Sequence, residues 1–537
     1  MKSFIISLLT LLLLDINLLY SQTWPKYYGI QNRREYVKGI IEHYDSGYLI
    51  LGEFFNATYT KRWAWLIKTD INGNTLWEKI FENSLEWVNL RAIEQTTDGG
   101  WVICGSAMVS SDIFIPLVLK LNACGEKEWC KLFEGSPNNQ SAAIDIKETG
   151  NGDIVVLVML YGSIPEETIH LFKLNADGEV LWIEAFATMY DYPNTQIKEP
   201  ERLFITNEGK YIISGHGYWE QPWNPGGPMP LTPLFIMVDS DGNEEWVLPY
   251  GLNDTIIGRA FSVSKESDST ILGMAHHWGA NLIPLFAEFN HSGQETNYRL
   301  LHPQNIDSNL VSGTLIRMYS IDSMNYAQGS FRYAPDQSIP IAVVELEDDL
   351  FGMDTIVTNY DIIHGHVAHR FNKTFDNKLL SSGTFTQSSV NYDISLAKLN
   401  LNLEYDTAYT GNFTYDSLCI PGPPQSGFIY LNDCDIVLGT EMPTAREYRA
   451  RKQTIPLNIY PNPAKDQITF AMENTQHHRN IELRCFNLLG VLQHQTTIIR
   501  GQTQATLDVS PWPPGMYVAV VYSDEKPVAR GKFVVQP

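Results

Sequence analysis

A glycine followed four residues later by tryptophan recurs along the chain at nearly constant intervals. The clearest copies are Gly73–Trp77, Gly125–Trp129, Gly178–Trp182 and Gly242–Trp246. Successive glycines are 52, 53 and 64 residues apart (125−73, 178−125 and 242−178), and a degenerate copy at Gly293 lies 51 residues further on (293−242). A repeat of about 50 residues is typical of β-propeller blades, each of which holds four short strands.

A second pattern precedes each copy and sets the number of blades. It is a turn followed by an apolar strand, as in 45–52 and 98–105, and it occurs seven times. The sequence therefore predicts an all-β chain with a seven-bladed β-propeller over residues 22–410. In the first blade we expect strands near 37–42, 48–52, 64–69 and 76–81. Glycine permits the tight turn, and the tryptophan is free to pack on the next blade.

Closing a ring of blades requires a strand from one end of the propeller to complete a blade at the other. The segment 22–28 matches the outer-strand pattern of 76–81. We predict that it completes the seventh blade. The segment 403–409 competes for the same place.

Residues 454–537 do not continue the repeat; apolar and polar residues alternate there in short runs, as in half-buried strands. The landmarks of this stretch are Tyr460, Pro461, Asn462, Pro463, Gly490, Gly515, Tyr517, Gly531, Lys532 and Phe533. In this order they resemble the C-terminal sorting domain of the type IX secretion system, a small Ig-like β-sandwich. The resemblance implies export across a bacterial outer membrane, with the outer-membrane translocon and sortase as partners.

The amino terminus agrees with export. Lys2 is followed by an apolar run over 4–14 and by the small residue Ser21, which predicts a secretory signal peptide over residues 1–21. A membrane anchor is the alternative, but a spanning helix needs about 20 apolar residues and Asp15 interrupts this run. We expect a protein that passes through the periplasm and becomes secreted or bound to the cell surface. Residues 411–453 are predicted to form a Pro/Gly-rich connector and linker.

The formal net charge is −23. Phosphates would be repelled by such a surface, so a nucleic-acid partner is excluded. An acidic, solvated surface that keeps an exported protein soluble explains the same charge.

Six cysteines in an exported chain permit disulfides. Cys124 and Cys130 flank a turn and are expected to pair across a hairpin, and Cys419 and Cys434 bracket a Pro/Gly-rich loop and form the second expected pair. Cys104 and Cys485 lie in apolar runs and are expected to be buried.

No metal or cofactor is predicted. The segment 70–74 has the residues of a calcium loop, but the spacing of an EF-hand is absent and a hairpin turn explains them. The histidines His364, His366 and His369 form the densest imidazole group, with a metal site and an ordinary channel or surface role as alternatives. The glycine–tryptophan spacing also resembles that of quinoprotein dehydrogenases, but those enzymes have eight blades and many have adjacent cysteines, which this chain lacks.

The loops between second and third strands emerge on one face of a propeller, and several are aromatic. The candidate ligand-binding residues are Trp63, Tyr218, Trp219, Trp223, Trp278 and Tyr333. Aromatic rings on a shared rim can stack against sugar rings or protein partners, or they can fold back onto their own loops. We expect a non-catalytic binding or adhesion module for a glycan or a surface protein. The alternative is a propeller enzyme that acts on polysaccharide, with acids on the central channel.

Overall fold

A computed structural model describes two units, Met1–Met442 and Pro443–Pro537. The described residues are 24–31, 33–56, 58–83, 87–110, 113–134, 141–160, 168–186, 195–219, 230–251, 256–352, 357–363, 367–388, 391–415, 418–419, 425–438, 455–471, 481–487, 491–498, 502–523 and 526–536. The predicted signal peptide, Trp223, His364, His366 and Gly490 lie outside them. The described residues contain one short 3-10 helix, Pro303–Asn305, and no α-helix.

The described part of the first unit contains seven antiparallel blades in chain order, and a parallel pairing of Arg34 with Tyr392 joins blades 1 and 7 into one sheet. Strand β1 (Lys26–Tyr28) comes first. Blade 1 then consists of β2 (Arg34–Glu42), β3 (Tyr48–Phe55), β4 (Arg62–Thr69) and β5 (Thr75–Glu82). Blade 2 consists of β6 (Val88–Gln95), β7 (Trp101–Ser110), β8 (Ile113–Leu121) and β9 (Lys127–Glu134). Blade 3 consists of β10 (Ala142–Glu148), β11 (Ile154–Leu160), β12 (Thr168–Leu174) and β13 (Val180–Phe186).

The remaining blades follow the same order. Blade 4 consists of β14 (Thr195–Ile205), β15 (Tyr211–Trp219), β16 (Leu231–Val238) and β17 (Glu244–Pro249), and blade 5 of β18 (Gly258–Glu266), β19 (Thr270–Trp278), β20 (Leu282–Asn290) and β21 (Glu295–Leu300). Blade 6 consists of β22 (Leu310–Ile321), β23 (Met324–Tyr333), β24 (Ile341–Glu347) and β25 (Val357–Ile363). Blade 7 consists of β26 (Val367–Lys373), β27 (Leu379–Ser388), β28 (Asn391–Leu399) and β1. First strands of neighbouring blades contact one another, so they surround the central channel. The predicted seven-bladed propeller is confirmed.

The amino-terminal strand closes the ring. Strand β1 pairs antiparallel with β28, with Tyr27 opposite Ser395. The competing segment forms only an isolated bridge, from Tyr405 to Leu399. The prediction that residues 22–28 complete the seventh blade is therefore confirmed.

At four junctions between neighbouring blades, a tryptophan packs over a glycine of the next blade; the pairs are Trp77–Gly125, Trp129–Gly178, Trp246–Gly293 and Trp24–Gly73. The Gly178 backbone has a φ of +77°, and an added Cβ would lie 2.8 Å from the Trp129 indole. The Trp129 indole N–H also donates to the carbonyl of Ala176 at 3.0 Å. Trp24, just before β1, packs in the same way over Gly73 of blade 1. Closure therefore uses the contact that joins consecutive blades.

An ion pair made by a buried lysine repeats in four blades. In each blade the lysine is the penultimate residue of the third strand, and the carboxylate lies at the turn before the second strand. The Nζ–carboxylate pairs are Lys68–Asp45 (2.7 Å), Lys120–Asp98 (2.5 Å), Lys173–Asp153 (3.5 Å) and Lys398–Asp376 (3.0 Å). In blade 1 both partners are almost fully enclosed, with side-chain exposures of 0% for Lys68 and 2% for Asp45. Charges at this depth are stabilised by each other because water does not reach them.

The segment 70–74, which has the residues of a calcium loop, forms a hairpin turn. One carboxylate oxygen of Asp70 accepts the backbone N–H groups of Asn72 (2.9 Å) and Asn74 (2.8 Å). This bonding is that of the β4–β5 hairpin turn, as the sequence indicated.

Residues after the seventh blade return to the outside of blades 1 and 2. Strand β29 (Gly427–Tyr430) pairs parallel with β5, and β30 (Asp435–Leu438) pairs parallel with β9. Within the predicted connector 411–453, residues 427–430 and 435–438 therefore pair with the outer strands of blades 1 and 2.

The predicted disulfide pairing was wrong. Cys124 is bonded to Cys419, and Cys130 is bonded to Cys434. Cys124 lies at the tip of the β8–β9 turn, while Cys130 pairs in register with Leu119, so the two do not face each other across the hairpin. Both bonds attach the returning segment to blade 2. Cys104 and Cys485 are free and buried, as predicted.

The C-terminal unit is a β-sandwich of two sheets. Its strands are β31 (Ile455–Pro456), β32 (Asn458–Tyr460), β33 (Gln467–Ala471), β34 (Ile481–Asn487), β35 (Leu492–Ile498), β36 (Gln504–Asp508), β37 (Gly515–Ser523) and β38 (Lys526–Val535). One sheet has the order β31-β38-β37-β34-β35 and the other β32-β33-β36. Between them lies one apolar core.

Several sorting landmarks hold this sandwich together. Phe533 is buried and stacks on Tyr517, with ring centroids 5.6 Å apart. The Asn462 amide donates to the carbonyl of Lys532 at 3.1 Å, and its oxygen accepts the Val534 N–H at 2.9 Å. The motif residues therefore fix the start of the domain to its last strand.

Candidate ligand-binding site at the channel mouth

One face of the propeller carries the starts of the inner strands and the loops between second and third strands. In blade 1, Arg34 at the start of β2 pairs with Phe55 at the end of β3, and in blade 5, Gly258 pairs with His277. We call this the rim face. Side chains at these strand ends surround one mouth of the channel because every blade repeats the arrangement.

Trp278, at the end of β19, is the most exposed tryptophan among the described residues, with 49% of its surface accessible. Its backbone N–H donates to the carbonyl of Ile257 at 2.6 Å. The guanidinium carbon of Arg259 lies 5.9 Å from the indole centroid, and the His276 ring meets the indole nearly at right angles, with centroids 6.4 Å apart. We call Trp278, Arg259 and His276 the Trp278 platform. An accessible indole beside a guanidinium can stack a ring and bind an oxygen at its edge.

His276 is a neutral polar group within this platform. It is 5% exposed, and neither ring nitrogen has a hydrogen-bond partner among the described residues. Burial, and then the nearby charges of Arg259 and His277, lower its pKa to about 4. Both ring nitrogens are closed to solvent, so His276 packs beside the indole, and Arg259 is the polar member of the platform that a ligand can reach.

A second group of aromatic rings lies on the rim face across blades 7, 1 and 2. The rings are linked by centroid distances of 5.9–6.4 Å and belong to Tyr36, Phe55, Tyr59, Trp87 and Tyr392. The guanidinium carbon of Arg34 lies 4.6 Å from the Tyr59 ring centroid and 4.7 Å from that of Tyr392. We call these rings and Arg34 the blade 1 cluster. Tyr59 is its most accessible ring, at 41% exposure.

Ion pairs fix the floor of the blade 1 cluster. Glu53 is buried and bonds the Arg62 Nε at 2.6 Å and the Lys38 Nζ at 3.0 Å. Arg62 in turn donates to the Asn89 side-chain oxygen at 2.7 Å and lies 5.3 Å from the Phe55 ring centroid. These contacts hold Phe55 in one position and leave Tyr59 to face solvent.

Carboxylates also line the channel on blade 4. Burial raises the pKa of Glu201, the Arg202 charge opposes that rise, and the neighbouring Glu199 adds to it. Arg91 and Arg259 contribute smaller opposing effects. A carboxyl group with a raised pKa beside a second carboxylate is a feature of acid–base sites as well as of structural ion networks.

The predicted rim residues have different surroundings. Trp63 is half-buried and stacks on Phe54, with centroids 5.3 Å apart. Tyr218 and Trp219 are half-buried at the end of β15, and Tyr333 packs against the core between blades 5 and 6. Of the described candidates, Trp278 alone is exposed by more than a third.

The cations that accompany these rings were not predicted from the sequence. Arg34 and Arg259 lie at the starts of inner strands, opposite the aromatic ends of second strands in their blades. The sequence signal that could have revealed them is an arginine at the start of the first strand, which occurs in blades 1 and 5.

One group of three metal-ligand side chains occurs among the described residues, and it consists of Cys130, Asp433 and Cys434. Its two sulfurs are joined in a disulfide, so they offer no thiolate to a metal. No helix within the described part of the chain has the length and apolar character needed to cross a membrane.

Residues 458–536 match the family described as the secretion system C-terminal sorting domain. The C-terminal unit is a type IX sorting domain. The sorting domain implies interaction with the type IX machinery and export to the cell surface or outside. The protein is thus a type IX-sorted secreted protein with a propeller fold. Curated proteins offer no match to the chain.

Solved structures similar to the chain are β-propellers of diverse activity. Native Bacillus subtilis arabinanase Arb43A is 12% identical, covers 59% of this chain and 95% of its own, and gives a TM-score of 0.26. The propeller domain of the trilobed protease from Pyrococcus furiosus is 8% identical over 73% and 97%, with a TM-score of 0.38. Drosophila Semaphorin 1b is 9% identical over 70% and 86%, with a TM-score of 0.39. At these scores, none of the three bears on the ligand or activity of this protein.

Proposed function

We propose that the exported propeller is a non-catalytic binding or adhesion module that takes a glycan on its rim face. The Trp278 platform carries this proposal. Its indole is exposed, while Arg259 and the neutral His276 lie at its edge. A sugar offers an apolar ring face to the indole and hydroxyl oxygens to the Arg259 guanidinium. The blade 1 cluster supplies further rings on the same face.

Replacing Trp278 with alanine is expected to weaken glycan binding by about 1–3 kcal/mol, because one stacking ring is removed from the binding surface. The melting temperature should change little, since an exposed side chain away from the core contributes within about 0.5 kcal/mol. A glycan array on the purified propeller identifies the ligand, and titration calorimetry then compares wild type with Trp278→Ala.

The matched control is Tyr298→Ala, an equally exposed aromatic ring (44%) on the outer strand of the same blade. It should leave binding unchanged. Equal losses in the two variants, or none in Trp278→Ala, would contradict the proposal. The spacing of 64 residues places an insertion in the blade 4 loop that holds Trp219 and Trp223, so we also predict that these two rings carry most of the affinity if that loop binds the ligand. Their alanine variants belong in the same series.

A second candidate is a polysaccharide-active enzyme, favoured by the raised pKa of Glu201 beside Glu199 on the channel wall. It predicts that sugars bound on the array are also cleaved, and that Glu201→Gln abolishes cleavage while binding persists. Glycan binding without release of sugars would favour the non-catalytic binding module.

The export route gives a prediction of its own. Deleting residues 460–537 should trap the propeller in the periplasm, because the sorting domain addresses it to the outer-membrane translocon. Cell fractionation and surface labelling measure this, with a full-length chain carrying Trp278→Ala as the control for normal delivery. Surface delivery of the truncated chain would refute the assignment. The linker 440–454, where we expect cleavage, lies outside the described residues.

A further inference from the structure

All seven inner strands change register at one level of the channel. In blade 4 the shift falls between Pro200 and Arg202, and in blade 6 between Leu315 and Arg317. The other five inner strands shift at the equivalent step. A bulge changes the direction in which the following side chain points, compared with a regular strand. The residue after each bulge therefore belongs to one ring around the channel.

This ring lines two adjoining cavities of about 290 and 330 Å³. Its charged members are Asp145, Arg202, Arg317 and Arg370, and small residues occupy the other three blades. The first cavity extends to Glu42 and Phe375, where inner strands end. It therefore opens away from the rim face and is separate from the Trp278 platform.

Positive charge in the ring exceeds negative charge. Asp145 is the one carboxylate, and its two oxygens accept the backbone N–H groups of Ile146 (3.1 Å) and Leu203 (2.9 Å). One level further, Lys147 and Glu94 pair with each other at 2.5 Å. Within the ring itself, three guanidinium groups thus face one carboxylate in a chain whose net charge is −23. Glu201, on the bulge before Arg202, is a further carboxylate beside the ring.

Neither Arg202 nor Arg317 forms a salt bridge with a carboxylate of the described residues. Glu201 acts on Arg202, and Asp145 and Glu94 act on Arg317, only as nearby charges. Arg202 donates to the carbonyl of Glu201 at 2.8 Å, and Arg317 lies 5.2 Å from the Tyr319 ring centroid. Arg370 donates to the carbonyl of Arg91 at 2.9 Å. Burial, and then the Arg202 charge, push the pKa of Arg370 well below its ordinary value. The guanidinium groups are thus crowded together away from bulk water.

We propose that this ring binds a small anionic ligand through a carboxylate or sulfate group, such as the acidic group of a uronate or a sulfated sugar. The planar guanidinium fork matches both oxyanions, and several converging forks fix their orientation. An anion at this level would neutralise the excess charge that the protein leaves there. The small residues on blades 1, 2 and 5 leave it room.

Thermal melting and calorimetry at constant ionic strength test the proposal, with sodium glucuronate and sodium sulfate as probes and glucose as the neutral control. We expect the melting temperature of the wild-type protein to rise saturably with an anion and not with glucose. A response to glucuronate alone assigns a carboxylated sugar, and a response to sulfate alone or to both assigns a general oxyanion site.

Arg202→Gln should weaken the anion affinity at least tenfold, and Arg370→Gln serves as a second variant if the first does not fold. Arg332→Gln removes the same charge from an exposed position and should bind as the wild type does. Absence of a saturable effect in the wild type, or equal affinity in Arg202→Gln and Arg332→Gln, would overturn the proposal and leave the arginines as braces for backbone carbonyls. Loss of glycan binding in Trp278→Ala has no bearing on this result, because the two sites are separate.

Discussion

Replacing Trp182 with alanine is expected to lower the free energy of unfolding by about 3–5 kcal/mol, because a fully buried aromatic side chain leaves a cavity. Trp182 has an exposure of 0% and lies on the outer strand of blade 3, opposite Lys173. Trp129, its counterpart in blade 2, is half-buried, so Trp129→Ala should cost less. Chemical denaturation followed by intrinsic fluorescence measures both losses.

Trp278→Ala is the control for this series, because it removes the same side chain from a surface position. Its unfolding free energy should stay within about 0.5 kcal/mol of the wild type. If Trp278→Ala unfolds the protein and Trp182→Ala leaves it untouched, our assignment of rim and core is reversed.

Asp45→Ala is expected to destabilise the protein by about 3–5 kcal/mol, because it leaves the Lys68 ammonium buried without its carboxylate. Burial alone would raise the pKa of Asp45, but hydrogen bonds from His43 and Lys68 hold it below its ordinary value. A lowered carboxyl pKa contributes stability above about pH 4 that is lost as the pH falls through the folded-state value. The difference between wild type and Asp45→Ala, measured by denaturant titration, should therefore shrink in acid.

The equivalent pair in blade 7 provides a matched control. Asp376 has a side-chain exposure of 45%, against 2% for Asp45, so water screens its partner Lys398 and Asp376→Ala should cost less. The double change Asp45→Ala with Lys68→Met should recover much of the lost stability, because no charge is left buried. A double variant as unstable as Asp45→Ala would show that the charge is not the cause.

The blade count was predictable because its signals are local. A glycine turn and a tryptophan four residues later lie within one hairpin, and the match between 22–28 and 76–81 compares two short segments. The disulfides join cysteines 295 and 304 residues apart, so their pairing depends on where the chain returns after blade 7. No local pattern contains that information, and we inferred the nearest partners instead.

The sequence predicted on which face of the propeller the candidate site lies, but it did not predict which residues form the site. Aromatic residues in the rim loops were visible in the sequence, but exposure depends on neighbours that only folding supplies. Trp63 packs on Phe54 directly opposite it on β3, whereas Trp278 has Arg259 and solvent beside it. The arginine ring was invisible for a further reason, since bulges on separate strands bring Arg202, Arg317 and Arg370 to one level.

The two disulfides also determine how mechanical load travels through the molecule. A pull on the sorting domain during translocation reaches strand β30 and then the first covalent attachment to the propeller, the bond between Cys434 and Cys130 of blade 2. The Cys419–Cys124 bond lies next along the chain and takes whatever tension remains. Strand β28, whose pairing with β1 closes the ring, lies behind both bonds. The β1–β28 pairing that closes the ring therefore carries little of the force that pulls the protein across the outer membrane.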